Sequence, residues 1–240
     1  MLSHCIQKLI KISQSNYLFL KKITRNTYIL ILYYVYRREF SVSLISIIAT
    51  NKFISFVGDG RAINLDGSIA HENYQKVFKI TDKIIIGMAG DAAIVEVLIP
   101  RIKDNPEIDL DNAKSCAHSL FDILGNGQVE NKDISLLIGG LDDLNNIYYA
   151  GFIQSSTTLE EILPNTYDIR CASTVNDSTA KINPNQVLQN LISSSVTTQN
   201  EFLKFNTQNA FKIQEQFNHF ISENDKSVNN NLTHKIIFKL

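Results

Sequence analysis

The stretch 43–62, SLISIIATNKFISFVGDGRA, decides the fold. Two β-branched apolar runs, 44–48 and 53–57, are joined by Ala49-Thr50-Asn51-Lys52. Runs of this kind around a short polar break predict a β-hairpin. The second run ends in Gly58-Asp59-Gly60, a turn that sets a carboxylate at the end of a strand. Downstream, KVFKI (76–80) and KIIIGM (83–88) flank Thr81-Asp82 and predict a second hairpin. Ala89-Gly90-Asp91 follows. Asp91 suits the N-cap of a helix over 92–103, which Pro100 is expected to bend or end. An amphipathic pattern over 111–124 predicts a second helix, stopped at Gly125.

Strand patterns return at 134–138, 147–152 and 167–172, whereas 159–163 is ambiguous. Helical patterns cover 185–192 and a long 199–221 segment with a stripe of Phe residues, expected to be packing surface. Asn229-Asn230-Asn231 marks a loop, and HKIIFKL (234–240) a closing strand. Strands, helices, strands, helices and a last strand, joined by hairpins, predict an α+β fold. The expected form is a four-layer α-β-β-α sandwich of two antiparallel sheets flanked by helices, not a doubly wound parallel sheet.

A chain of 240 residues that is 44% hydrophobic and 20% charged can bury a core, which excludes a collagen-like or wholly disordered chain. Charge is uneven. Residues 1–42 hold seven Lys/Arg and one acid, net +6, and residues 43–240 are net −7. The body therefore has no basic footprint for nucleic acid. Three scattered cysteines (Cys5, Cys116, Cys171) without a CxxC argue against a disulfide framework or zinc site and for a reducing compartment. The apolar run 28–36 (YILILYYVY) has nine residues, too few for a span that needs about 20. Arg37-Arg38-Glu39-Phe40 stands where a signal peptide wants small residues. Residues 1–42 are thus expected to be an N-terminal extension or removable propeptide. A signal or anchor, a membrane-surface segment and a misassigned start are the alternatives. The 43–240 segment is expected to be the folded domain.

Four segments carry a resemblance: SLISIIATNKFISFVGDGRA (43–62), NYQKVFKI (73–80), KIIIGMAGDAA (83–93) and DISLLIGGLDDLNNIYYAG (133–151). In this order and spacing the sequence resembles proteasome β-subunits and their bacterial relatives, within the N-terminal-nucleophile hydrolases. The tail SVNNNLTHKIIFKL (227–240) adds to it. In that family the residue exposed by processing, usually Thr, is the nucleophile, and an aspartate follows sixteen residues later. Counting back sixteen from Asp59 gives Ser43. A lysine normally follows the aspartate by about sixteen; Lys76 follows by seventeen. A glycine fourteen after the lysine forms the oxyanion hole, and Gly90 meets that count. The resemblance implies catalytic roles for Ser43, Asp59, Lys76 and Gly90. It also implies a peptide or unfolded-protein substrate, a homo-oligomeric ring, an ATPase as possible partner, a cytoplasmic location and no cofactor or metal.

The chemistry of such a site is self-contained. A terminal hydroxyl lies beside its own α-amine, of ordinary pKa roughly 7.7–8.0, which can take the hydroxyl proton. A buried ammonium stabilises developing negative charge, a carboxylate holds that ammonium, and a backbone N–H binds the oxyanion.

The chain also departs from the pattern. Ser43 replaces Thr, and Val42 precedes it where processed subunits have Gly. Arg170-Cys171-Ala172-Ser173 stands where the family has a Gly-Ser-Gly turn, with Ser173 as the only hydroxyl offered. Asp225 and Ser227 match the late pair that holds the terminal amine, at a spacing of two. These departures keep open the alternative of a catalytically inactive proteasome-like protein that acts as an assembly or binding module.

Overall fold

The computed structural model describes residues 40–42, 44–64, 66–125, 134–154, 156–175 and 183–239. The apolar 28–36 run and Ser43 lie outside them. Among the described residues the chain is α+β, with twelve strands, all paired antiparallel, and five helices.

The decisive stretch forms the expected hairpin, β2 (Leu44–Ala49) and β3 (Phe53–Asp59), with Ile47 opposite Phe56. Both strands are buried throughout, because each face meets its own apolar layer. Ile45, Ile47, Ile54 and Phe56 point one way, into a core shared with the other sheet; Leu44, Ile48 and Phe53 point the other way, onto helices. Two-sided burial explains why the runs are nearly continuous in apolar residues. Adding β11 (Arg170–Val175) and β12 (Leu232–Phe238) makes a four-stranded sheet ordered β11-β2-β3-β12.

The second hairpin is β6 (Val77–Lys79) and β7 (Ile84–Asp91). They join β8 (Ile134–Leu141), β9 (Ile147–Ile153), β10 (Glu160–Ile162), β1 (Phe40–Val42), β4 (Ala62–Asn64) and β5 (Ile69–His71). This sheet is ordered β10-β9-β8-β7-β1-β4-β5, with β6 beside β7. Its residues alternate too: Ile84, Ile86 and Met88 pack with α1 (Ala92–Asp104) and α2 (Ala113–Leu124), while Ile85 and Ala89 face the smaller sheet. On the far side of the smaller sheet lie α3 (Pro184–Ser195) and α5 (Thr207–Asn224).

Three local expectations change. Helix α1 continues past Pro100 to Asp104, so the proline does not end it. The helix does begin at Ala92, directly after Asp91, as expected. The 167–172 strand starts only at Arg170, because Tyr167 takes φ +65° in a turn. The long 199–221 helix is two helices, α4 (Gln199–Lys204) and α5. Phe205 is extended (ψ 127°), and Asn206 opens α5 with a reciprocal cap on Asn209. A side chain that satisfies free N–H groups restarts the helix although the Phe spacing runs on. Of that Phe stripe, Phe205 and Phe217 are core, whereas Phe220 is exposed.

Segment β1 has no counterpart in the sequence pattern. It lies between β7 and β4, with Val42 opposite Gly90 on one side and Ala62 on the other. The boundary drawn at 42/43 therefore falls where the chain leaves the larger sheet. Val42 ends a strand of one sheet and Leu44 begins a strand of the other.

Candidate active site

Asp59 is the last residue of β3, and Lys76 immediately precedes β6. Both are fully buried, and the Lys76 ammonium donates to Asp59 Oδ1. The same oxygen accepts the backbone N–H of Leu44 at 3.1 Å. The other oxygen, Oδ2, accepts the N–H of Arg61 at 2.8 Å and of Asn229 at 3.3 Å. Four donors thus fill the carboxylate.

Close packing brings these segments together. A side chain at Gly58 would stand 2.9 Å from Val77 Cγ2, 3.3 Å from Lys76 Cβ and 3.6 Å from the Leu44 carbonyl. Only glycine lets the end of β3 approach both segments. Lys76 is in turn fixed to β7 by its carbonyl, which accepts Met88 N–H at 2.9 Å. Two residues on, Gly90 has φ +124°, a backbone that other residues rarely adopt. Gly90 stands two residues before the first residue of α1, at the positive end of that helix.

The electrostatics follow from burial. Desolvation pulls the Lys76 ammonium below its ordinary pKa, with the attraction of Asp59 and, more weakly, Asp225 opposing it. Desolvation also pushes the Asp59 carboxyl up, against Lys76 and the backbone donors. An ammonium held in this way is a local, dry positive charge.

Asp225 follows α5 as its C-cap and accepts the N–H of Ser227 at 2.8 Å and its hydroxyl at 2.5 Å, both on Oδ1. Its Oδ2 is buried without a hydrogen-bond partner among the described residues. Ser173 pairs opposite Ser46 in β2, and both its N–H (2.6 Å) and its hydroxyl (2.9 Å) donate to Asn185 Oδ1. Its hydrogen bonds thus go to α3 rather than to the Asp59–Lys76 pair. Cys116 is buried and its thiol is pushed up to about 12; Cys171 is half-buried and pushed up to about 11. Neither is an activated nucleophile.

Residues picked by spacing thus meet in Asp59 and Lys76, and Gly90 lies on β7, the strand whose Met88 N–H bonds the Lys76 carbonyl. Ser43 lies outside the described residues, but its two chain neighbours flank the site. Val42 is opposite Gly90, and Leu44 is bonded to Asp59. Three contributors went unnoticed in the sequence: Arg61, Glu72 and Asn229. Arg61 is two residues from Asp59, but Asn229 reaches it from 170 positions away, and no spacing rule announces that.

Residues 45–153 match the family model of the proteasome subunit. That match supports the resemblance to proteasome β-subunit-like N-terminal-nucleophile hydrolases. That kinship implies peptide substrates and oligomeric assembly. No curated protein matches the chain. No helix among the described residues is long and apolar enough to cross a membrane.

Proposed function

We propose that the protein is a proteasome-like peptidase whose nucleophile is the Ser43 hydroxyl, acting within a homo-oligomeric ring. The observation that carries this reading is the sharing of Asp59 Oδ1 between the Lys76 ammonium and the N–H of Leu44. It ties the residue after Ser43 to a buried charged pair. The pairing of Val42 with Gly90 ties the residue before it to a glycine of positive φ near a helix N-terminus.

In this reading residues 43–240 form the catalytic domain, a four-layer α-β-β-α sandwich, and residues 1–42 a propeptide. Cleavage of the Val42–Ser43 bond frees the Ser43 amine. That amine takes the hydroxyl proton as the oxygen attacks a substrate carbonyl. Gly90 N–H receives the oxyanion, and Lys76 stabilises the negative charge that develops. The amine then returns the proton to the leaving nitrogen, which departs as the new N-terminus of the product. Water, deprotonated by the same amine, hydrolyses the ester that remains on Ser43. Asp225, with one buried oxygen unpartnered among the described residues, serves to hold the amine once it is charged. The scheme uses only the chain's own groups.

Release of residues 1–42 also removes β1. The facing edges of β7 and β4 would then pair an extended peptide by strand addition. A ring in the cytoplasm, fed by an unfolding ATPase, completes the proposal.

Intact mass is the test. The expected mature chain starts at Ser43, and Ser43→Ala abolishes both processing and peptide hydrolysis. A hydrolytic activity unchanged in Ser43→Ala overturns the assignment. A second reading, an inactive assembly or binding module, is favoured by β1 itself, which fills the slot between β7 and β4. A chain that retains residues 1–42 in its assembled state supports that reading.

A further inference from the structure

Beyond the site residues lies a clamp built on Glu72. Arg61 donates to it with two nitrogens, Nε to Oε2 at 3.2 Å and Nη2 to Oε1 at 3.0 Å. The remaining arm, Arg61 Nη1, reaches the carbonyls of Lys226 at 2.7 Å and Val228 at 3.3 Å. Asn229 joins from the opposite side. Its side-chain amide donates to the Glu72 carbonyl at 2.9 Å and also to Glu72 Oε2. Its side-chain oxygen accepts Gly60 N–H at 2.9 Å, and its backbone carbonyl accepts Asn218 Nδ2 at 2.6 Å. Every polar group of Asn229 is therefore engaged.

The two residues whose side chains hold the Glu72 carboxylate are the two whose backbone N–H groups hold Asp59 Oδ2. Fixing Oδ2 from that side turns Oδ1 toward Lys76 and Leu44. A carboxylate with only one oxygen tethered could rotate about its Cβ–Cγ bond and weaken its bond to the ammonium. The clamp also holds the carbonyls of Lys226 and Val228, and so the loop that follows Asp225.

We propose that Arg61, Glu72 and Asn229 are positioning residues that set the orientation of Asp59 and Asp225 around the Lys76 ammonium. None of the three bonds to Lys76. Three charged groups act on Lys76: Asp59 from the end of β3, Asp225 from the end of α5, and the Arg61 guanidinium from the β3–β4 turn. The catalytic meaning rests on the peptidase reading, but the geometric claim does not.

The test is a titration of Lys76 by nitrogen-15 NMR of the full chain, its signal assigned by its absence in Lys76→Arg. The variants keep charge and change only reach. Arg61→Lys loses the fork, and Glu72→Asp withdraws the shared carboxylate. Both side chains are partly exposed (22% and 42%), so the fold is expected to survive. The expected result is a fall in the Lys76 pKa of about one unit in each, as its bond to Asp59 loosens. An unchanged Lys76 pKa in both folded variants overturns the proposal, and so does a change in melting temperature without a change in Lys76 titration. A variant that does not fold is replaced by Asn229→Ser, which is neutral and read in the same way. Activity plays no part in this readout, so failure of the Ser43 assignment remains a separate result.

Discussion

Strand β3 carries two buried polar clusters of opposite character. At its end, Asp59 and Lys76 form a fully buried ion pair. In its middle, Ser55 belongs to a neutral cluster. The Ser55 hydroxyl donates to Gln214 Oε1 at 2.6 Å and lies 2.9 Å from His234 Nε2. Gln214 Nε2 donates to the Ser46 carbonyl at 3.0 Å, and the His234 ring stacks on Phe211 at 4.4 Å. The neutral cluster fixes how α5 seats on the sheet, using groups that are inexpensive to desolvate. The charged pair is a poor way to stabilise a fold, since removing two charges from water offsets most of their attraction. A chain that could bury hydrophobes there keeps charges instead, and that favours a chemical role for the pair.

The largest test of this contrast is at Lys76. Lys76→Ala strands Asp59 unpaired and is expected to lower unfolding free energy by about 3–5 kcal/mol, measured by denaturant titration. The double variant Asp59→Leu/Lys76→Met is expected to recover that loss, or exceed it by about 1–4 kcal/mol, while peptide hydrolysis stays absent. A double variant no more stable than Lys76→Ala would mean that the pair is structural.

Next in size is Gln214→Leu, which leaves the Ser46 and Ser55 groups short of a partner. The expected loss is about 1–3 kcal/mol in stability, with hydrolysis per folded molecule unchanged. A drop in turnover there would erase the distinction between the clusters.

The smallest effect is the pH response of His234. Its burial and the neighbouring Lys235 hold its pKa below the ordinary value. The unfolded chain, with a histidine near about 6.5, therefore binds more protons than the folded one just below that pH. Stability is full above that value and falls as pH drops through it toward the folded-state pKa. His234→Gln is expected to flatten this part of the curve, followed by thermal melts across pH 5–8. A slope unchanged in His234→Gln assigns the acid sensitivity elsewhere.

Much of the candidate site was legible because each of its residues borders or ends an apolar strand that the sequence announces. Asp59, Lys76 and Gly90 lie within 32 positions, but packing of the two sheets, not pairing within a hairpin, brings Asp59 at the end of β3 to Lys76 before β6. Also legible were β2, β3, β6 and β7, whose apolar runs are bounded by polar turns. Arg61, Glu72 and Asn229 were not legible, since a hydrogen bond between distant loops leaves no period in the sequence. Nor was β1, three residues whose pairing depends on the two strands on either side. The break at Phe205-Asn206 was hidden because apolar spacing continued while a cap decided the backbone.

Taken alone, the order of residues established an α+β chain, a proteasome-like core and a carboxylate–ammonium pairing, because alternation and turn chemistry act locally. The fold in three dimensions decided the rest. It chose which loops close over Asp59, where the chain crosses between sheets at 42–44, and which strand lies in the slot beside Gly90. Those choices depend on burial and on hydrogen bonds between segments far apart in the chain, and such contacts exist only once the sheets have come together.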